Sequence, residues 1–189
     1  MHHHGKHRKN KVSYLESPER RKEFSPEQLL NRIPLKESDT ILDFGAGTGY
    51  FSIPAAKKIK GNLYALDIDV SMLKIIKEKA LKHQLTNIVS VEGSIEALPL
   101  PKNSIDIIIA SLVLHEIQPL NPLLQQMKNL LKEEGYLICL ELEPKGNSEK
   151  APRITLEGME RELKDAGLKV TEKFFPAESF YMLVAQKSD

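Results

Sequence analysis

The sequence predicts one α/β domain on a mostly parallel sheet, and three observations lead there. Residues 40–67 read as a strand, a glycine turn, a helix and a second strand. Short apolar runs then alternate with helical patterns through the rest of the chain. One of those runs contains Ile107, Ile108 and Ile109 in succession, which suits a central parallel strand covered on both faces.

The chain has 189 residues, enough for a substantial core. Hydrophobic residues make up 41% and charged residues 28%, as in soluble globular proteins. No apolar run approaches the roughly 18–20 residues that span a bilayer, and no secretory signal opens the chain. The expected location is therefore the cytoplasm. A single cysteine, Cys139, excludes an intramolecular disulfide framework and a multi-cysteine metal site. The three consecutive histidines near the start lack carboxylate or cysteine neighbours that would complete a ligand set, so no metal site is expected.

Net charge is +1 but uneven: residues 1–36 carry nine Lys/Arg against four acids, leaving −4 for the remainder. Such a basic arm can attract nucleic acid. Without interleaved aromatics or a nucleic-acid motif, a solvated arm is the expectation. Ser17-Pro18 and Ser25-Pro26 each pair a capping serine with a proline suited to the first helical position. They predict helices over about 18–23 and 26–32, ahead of a core beginning at residue 36. The expected division is thus 1–35, arm and helices, and 36–189, core.

The core opens with Ile41, Leu42 and Phe44 around Asp43, followed by Gly45, Gly47 and Gly49. A helix is expected over about 50–59, and Leu63 to Leu66 form a strand ending on Asp67, 22 residues after Gly45. Glycines let backbone approach a ligand closely, and a carboxylate at the second strand's tip can accept from ribose hydroxyls. The unit should bind a ligand that carries a nucleoside. A helix follows over about 71–83, with Asp69 or Ser71 as its cap and Lys74, Lys77, Lys79 and Lys82 facing water. Strands are expected at 88–91, 105–110 and 136–142, and helices at about 122–132 and 155–166, the latter ended by Gly167. A polar loop is expected at 144–154. Two strands close the chain at 169–173 and 179–186, around Pro176.

The glycine spacing is G-x-G-x-G, not the G-x-G-x-x-G of dinucleotide binders. Asp43-Phe44-Gly45-Ala46-Gly47-Thr48-Gly49 resembles the first motif of class I S-adenosylmethionine (SAM)-dependent methyltransferases, and 66–73 resembles their second motif. Lys132-Glu133-Glu134-Gly135-Tyr136-Leu137 is similar to the family's L-K-P-G-G-x-L. Similarity extends over residues 36–187 and to the group that includes quinone and arsenite methyltransferases. One cysteine argues against the arsenite chemistry.

The resemblance implies a Rossmann-like, doubly wound seven-stranded sheet closed by an antiparallel C-terminal pair, with the N-terminal helices over the pocket or merely over the sheet edge. It implies that the loop from Asp43 through Gly45, Ala46, Gly47 and Gly49 lies under the methionine part of SAM. Asp67 would take the ribose hydroxyls, with Ile68 and Met72 against the adenine. The family's acid at the adenine amino group is replaced here by Ser94, whose hydroxyl or the backbone of Ile95 would serve. Ser111 and Leu112 would neighbour the departing methyl. His115 is the titratable side chain there suited to proton transfer near neutral pH, and is equally readable as a structural histidine.

The expected reaction is in-line methyl transfer to a small-molecule nucleophile, giving S-adenosyl-L-homocysteine. A chain this near the family's minimal core favours a small acceptor over a macromolecule. Neither nucleic acid nor a membrane is an expected partner, and the protein is expected to be a monomer or homodimer. The alternative is a non-catalytic SAM-binding module, or an RNA-binding one that uses the basic arm.

Overall fold

The computed structural model describes residue 17 and residues 24–144 and 152–188. The expected helix at 18–23, the histidine-rich start and most of the basic arm and polar loop lie outside the described residues.

Seven strands form one sheet in the order β3-β2-β1-β4-β5-β7-β6. They are β1 (Ile41–Phe44), β2 (Leu63–Asp67), β3 (Ile88–Glu92), β4 (Ile105–Ser111), β5 (Leu131–Leu142), β6 (Leu168–Ala177) and β7 (Phe180–Lys187). Strands β1 to β5 pair in parallel, and β7 runs antiparallel to both β5 and β6. The α-helices among the described residues are α1 (Pro26–Leu30), α2 (Ser52–Ala56), α3 (Val70–Lys82), α4 (Asn121–Leu130) and α5 (Leu156–Asp165).

Side chains alternate across each strand with period two, which divides the core between the two faces. Ile41, Leu63, Ile107, Ile109 and Leu140 pack with α1, α2 and α3 on one face. Leu42, Leu66, Ile108, Leu137 and Cys139 pack with α4 and α5 on the other. The isoleucine run of β4 is therefore covered on both faces, as its composition requires. Cys139 is fully buried between its neighbours, and burial, then the nearby Glu141 carboxylate, pushes its thiol pKa up.

Four expected elements differ. The helix over 50–59 contracts to Ser52–Ala56. The Asn87 side chain donates to the carbonyls of Ala56, Ile59 and Gly61 at 3.1–3.2 Å, satisfying the chain as it leaves the helix early. A Cβ at Gly61 would run into the Asp39 carbonyl, so the exit needs glycine. Strand β5 begins at Leu131 rather than 136, because Leu131 pairs with Ile105 before a register shift restores pairing at Tyr136. Correspondingly, α4 ends at Leu130. Lys79 does not simply face water, since its Nζ donates to the Thr48 carbonyl at 2.8 Å. Finally, β6 continues through Pro176, which a strand at the sheet edge tolerates.

Candidate active site

After β1 the chain moves outward through β2 and β3, then crosses back to place β4 on β1's other side. The C-terminal ends of β1 and β4 thus frame a topological switch point, where open α/β sheets bind ligands. A cavity of about 430 Å³ lies there, lined by the glycine turn, the tip of β2 and the segment after β4. That is within the roughly 300–1,000 Å³ typical of small-molecule sites.

The glycine turn is built from backbone and two carboxylates. Gly45 and Gly47 have φ of +66° and +52°, values that side chains resist. A Cβ on Gly45 would also lie 2.6 Å from Val113 Cγ2. Asp67 Oδ2 accepts the Gly47 N–H at 2.8 Å, and its Oδ1 accepts the Asp69 N–H at 2.8 Å. The tip of β2 is thereby fastened to the turn. Asp69 is the N-cap of α3, accepting from Ser71 N–H at 2.8 Å. Asp43, 2% exposed, accepts from the Ser52 hydroxyl at 2.5 Å.

Among the expected site residues, Asp43, Gly45, Ala46, Gly47, Asp67, Ile68, Met72, Ser111 and Leu112 come together around this cavity. Ile68 is 81% exposed, an apolar surface presented outward at the pocket. Four others do not line it. Gly49 has φ +81°, and a Cβ there would contact Ile76 at 3.0 Å, so its role is to let the turn sit on α3. Ser94 faces solvent and donates to Glu96 at 2.5 Å. Ile95 is buried in the core on the α4 face. His115 is 7% exposed with both ring nitrogens engaged, Nδ1 at 2.7 Å from Glu141 Oε2 and Nε2 at 3.0 Å from Arg153 Nη1.

Thr48, Tyr50, Phe51, Gly93, Val113, Glu116 and Ile117 also line the cavity. Thr48 was visible inside the glycine motif, whereas the others carry no local signal. Tyr50 donates its hydroxyl to the Phe24 carbonyl at 2.6 Å, and the Phe24 ring stacks edge-on against Tyr50 and Phe180. Residue 24, at the start of the segment leading into α1, therefore braces one pocket wall.

Two hydroxyls at the cavity have no partner among the described residues: Thr48 Oγ1 and Ser111 Oγ. Both oxygens are buried, where polar groups ordinarily find a partner, so a ligand reaches them only after a small shift of the turn or the loop. An open glycine cradle with carboxylates on its rim suits a ligand bearing ammonium and ribose groups.

Residues 35–178 match the family described as "Methyltransferase domain". A SAM-dependent methyltransferase of known structure from Aquifex aeolicus is 27% identical, with a TM-score of 0.84 over 93% of this chain and 96% of that one. Demethylmenaquinone methyltransferases are 26% identical over 117 residues (Geobacillus sp. strain WCH70; 61% of this chain, 50% of that protein) and 30% over 109 (Listeria monocytogenes serotype 4a; 57% and 46%). The chain thus spans about half the length of these curated relatives. The [4+2]-cyclase SpnF shares the fold at 16% identity and a TM-score of 0.76, over 86% of this chain and 79% of that one.

Proposed function

This chain belongs to the methyltransferase-domain family, and from that premise we propose that it passes the methyl group of SAM to a small-molecule nucleophile by in-line displacement. SAM is its cofactor, and when bound it supplies an already activated methyl group. The chain's own task is then alignment, which can contribute on the order of 7–11 kcal/mol of a barrier through pre-oriented reactants.

The residues divide that task. Asp67, fixed by two backbone N–H groups, keeps lone pairs available for ribose hydroxyls. Ile68 and Met72 offer apolar surface beside it for a flat ring. The glycine turn leaves room for the amino-acid end of the cofactor, and the buried hydroxyls of Thr48 and Ser111 would reach its polar atoms after a small shift. Glu116 and Ile117 form the wall on the β4 side, where an acceptor would enter.

The observation that carries this reading is the cavity at the β1–β4 switch point, framed by the glycine turn and Asp67. The relatives named demethylmenaquinone methyltransferase support a small acceptor of that kind. The cyclase on the same fold shows why fold alone does not name a reaction. His115 can serve as a proton acceptor only where Arg153 releases its Nε2. The test is turnover of methyl-labelled SAM with demethylmenaquinone and a panel of small phenols, amines and thiols. Transfer to one of them is expected. Transfer to RNA alone would favour the alternative that rests on the basic arm.

A further inference from the structure

A buried carboxylate is costly unless its lone pairs are filled. Glu141, on β5, is fully buried, and its Oε1 accepts the backbone N–H groups of Val113 and Leu114 at 3.1 and 2.9 Å. The His115 N–H points to the same oxygen at 3.4 Å. Oε2 meets His115 Nδ1 at 2.7 Å, and Arg153 engages the ring's other nitrogen. All of these bonds reach one stretch, the 112–117 loop that walls the cavity.

That loop needs holding. Leu112 opens it at φ +55°, a left-handed conformation that costs a residue with a Cβ about 1–2 kcal/mol. Its N–H is tied to the Leu140 carbonyl at 2.8 Å, one residue before Glu141. Val113 follows, and its side chain occupies the space that a Cβ on Gly45 would need. Any displacement of the Val113 backbone therefore changes the gap between the loop and the glycine turn.

We propose that Glu141 is a positioning residue for the cofactor: its carboxylate sets the 112–117 loop against the glycine turn and fixes His115 in a single tautomer. The functional consequence rests on the methyltransferase reading, whereas the tautomer does not. A guanidinium only donates, so His115 Nε2 accepts from Arg153 at 3.0 Å, and the Glu116 carboxylate, which would favour a proton there, lies farther off at 4.0 Å. The ring proton is then on Nδ1, donated to Glu141. Glu141→Gln breaks this chain of donors. The amide oxygen has to stay with the loop N–H groups, so the NH₂ confronts Nδ1–H. The ring proton must move to Nε2, where it meets the Arg153 donor.

Nitrogen-15 histidine NMR on the full chain tests this, with His115 assigned by the loss of its signal in His115→Asn. The wild type should show a protonated Nδ1 and a bare Nε2. Glu141→Gln should move the proton to Nε2 and weaken S-adenosylhomocysteine binding about tenfold by calorimetry. A wild-type Nε2–H tautomer, or undiminished affinity in the variant, would overturn the proposal. Should the Gln variant fail to fold, Glu141→Asp takes its place. Its shorter carboxylate cannot span the loop amides and Nδ1 together, so the same loss is expected, and unchanged affinity again overturns the proposal. If the wild type itself binds no S-adenosylhomocysteine, the cofactor assignment fails and the positioning role fails with it. The tautomer then shows whether Glu141 still orders the ring.

Discussion

The glycine turn after β1 and the 112–117 loop after β4 face each other across one pocket, yet they hold their shapes by different means. The turn is local. Its conformation comes from glycines at positive φ, and the carboxylate that fastens it, Asp67, lies at the end of the very next strand. The second loop is non-local: a leucine takes the left-handed position, and its restraints come from Glu141 and Arg153, 28 and 38 residues away from their partners in the chain. A turn made from permissive residues should keep its backbone shape when a neighbour is lost, so a fall in affinity there reports lost ligand contacts. A strained loop under long-range restraint should not keep its shape, and substitutions on the two sides can separate these behaviours.

The largest effect is expected at Asp67. Asp67→Ala removes two charge-assisted backbone bonds together with the acceptor proposed for the ribose hydroxyls. Bonds to charged groups contribute about 1.5–3 kcal/mol each, so S-adenosylhomocysteine affinity should fall by about 100-fold or more in calorimetry. Gly45→Ala joins the two regions, forcing a Cβ both into a left-handed backbone and against Val113. It should destabilise the fold by about 1–2 kcal/mol in denaturant titration and impair cofactor binding as well. An effect on the turn alone would mean that the loop yields more easily than its restraints imply.

Smaller changes sharpen the comparison. His115→Ala should retain most cofactor affinity if the ring serves proton transfer. Lost stability, read as a lower unfolding midpoint, would mark it as part of the loop's support. Thr48→Val replaces an unpartnered buried hydroxyl. The free protein should be as stable as before or slightly more so, while SAM binding weakens by a factor of about 3–10, the worth of one neutral hydrogen bond. The smallest response is expected at Cys139. Burial holds its thiol protonated well above neutral pH, so thiol reagents should leave the native protein unmodified at pH 8 and react only after denaturation.

The same contrast explains what was legible in the sequence. The strands, their order of appearance and the glycine turn announce themselves through short-range patterns: apolar alternation, glycine spacing, and an acid at a strand tip. The cap of α3 at Asp69 and the end of α5 at Gly167, with φ +73°, are legible for the same reason. What escaped is set by contacts distant in sequence. Nothing local announces that Asn87 would close the exit of α2, or that Lys79 would turn to the Thr48 carbonyl rather than to water. Ser94 stands where the family's adenine-reading acid would be, and here it turns to Glu96 instead of the cavity. His115 could be placed near the pocket from its position after β4, but Glu141, 26 residues later, decides which way its ring nitrogens are used.

The central claim is that the β1–β4 switch point is a SAM site. Calorimetric titration of the purified protein with S-adenosylhomocysteine, with NAD as the control, tests it most directly. Binding of about −8 kcal/mol, micromolar in strength, with no heat from NAD, is the predicted result. A folded sample, shown free of copurified ligand, that binds NAD and not S-adenosylhomocysteine would contradict it.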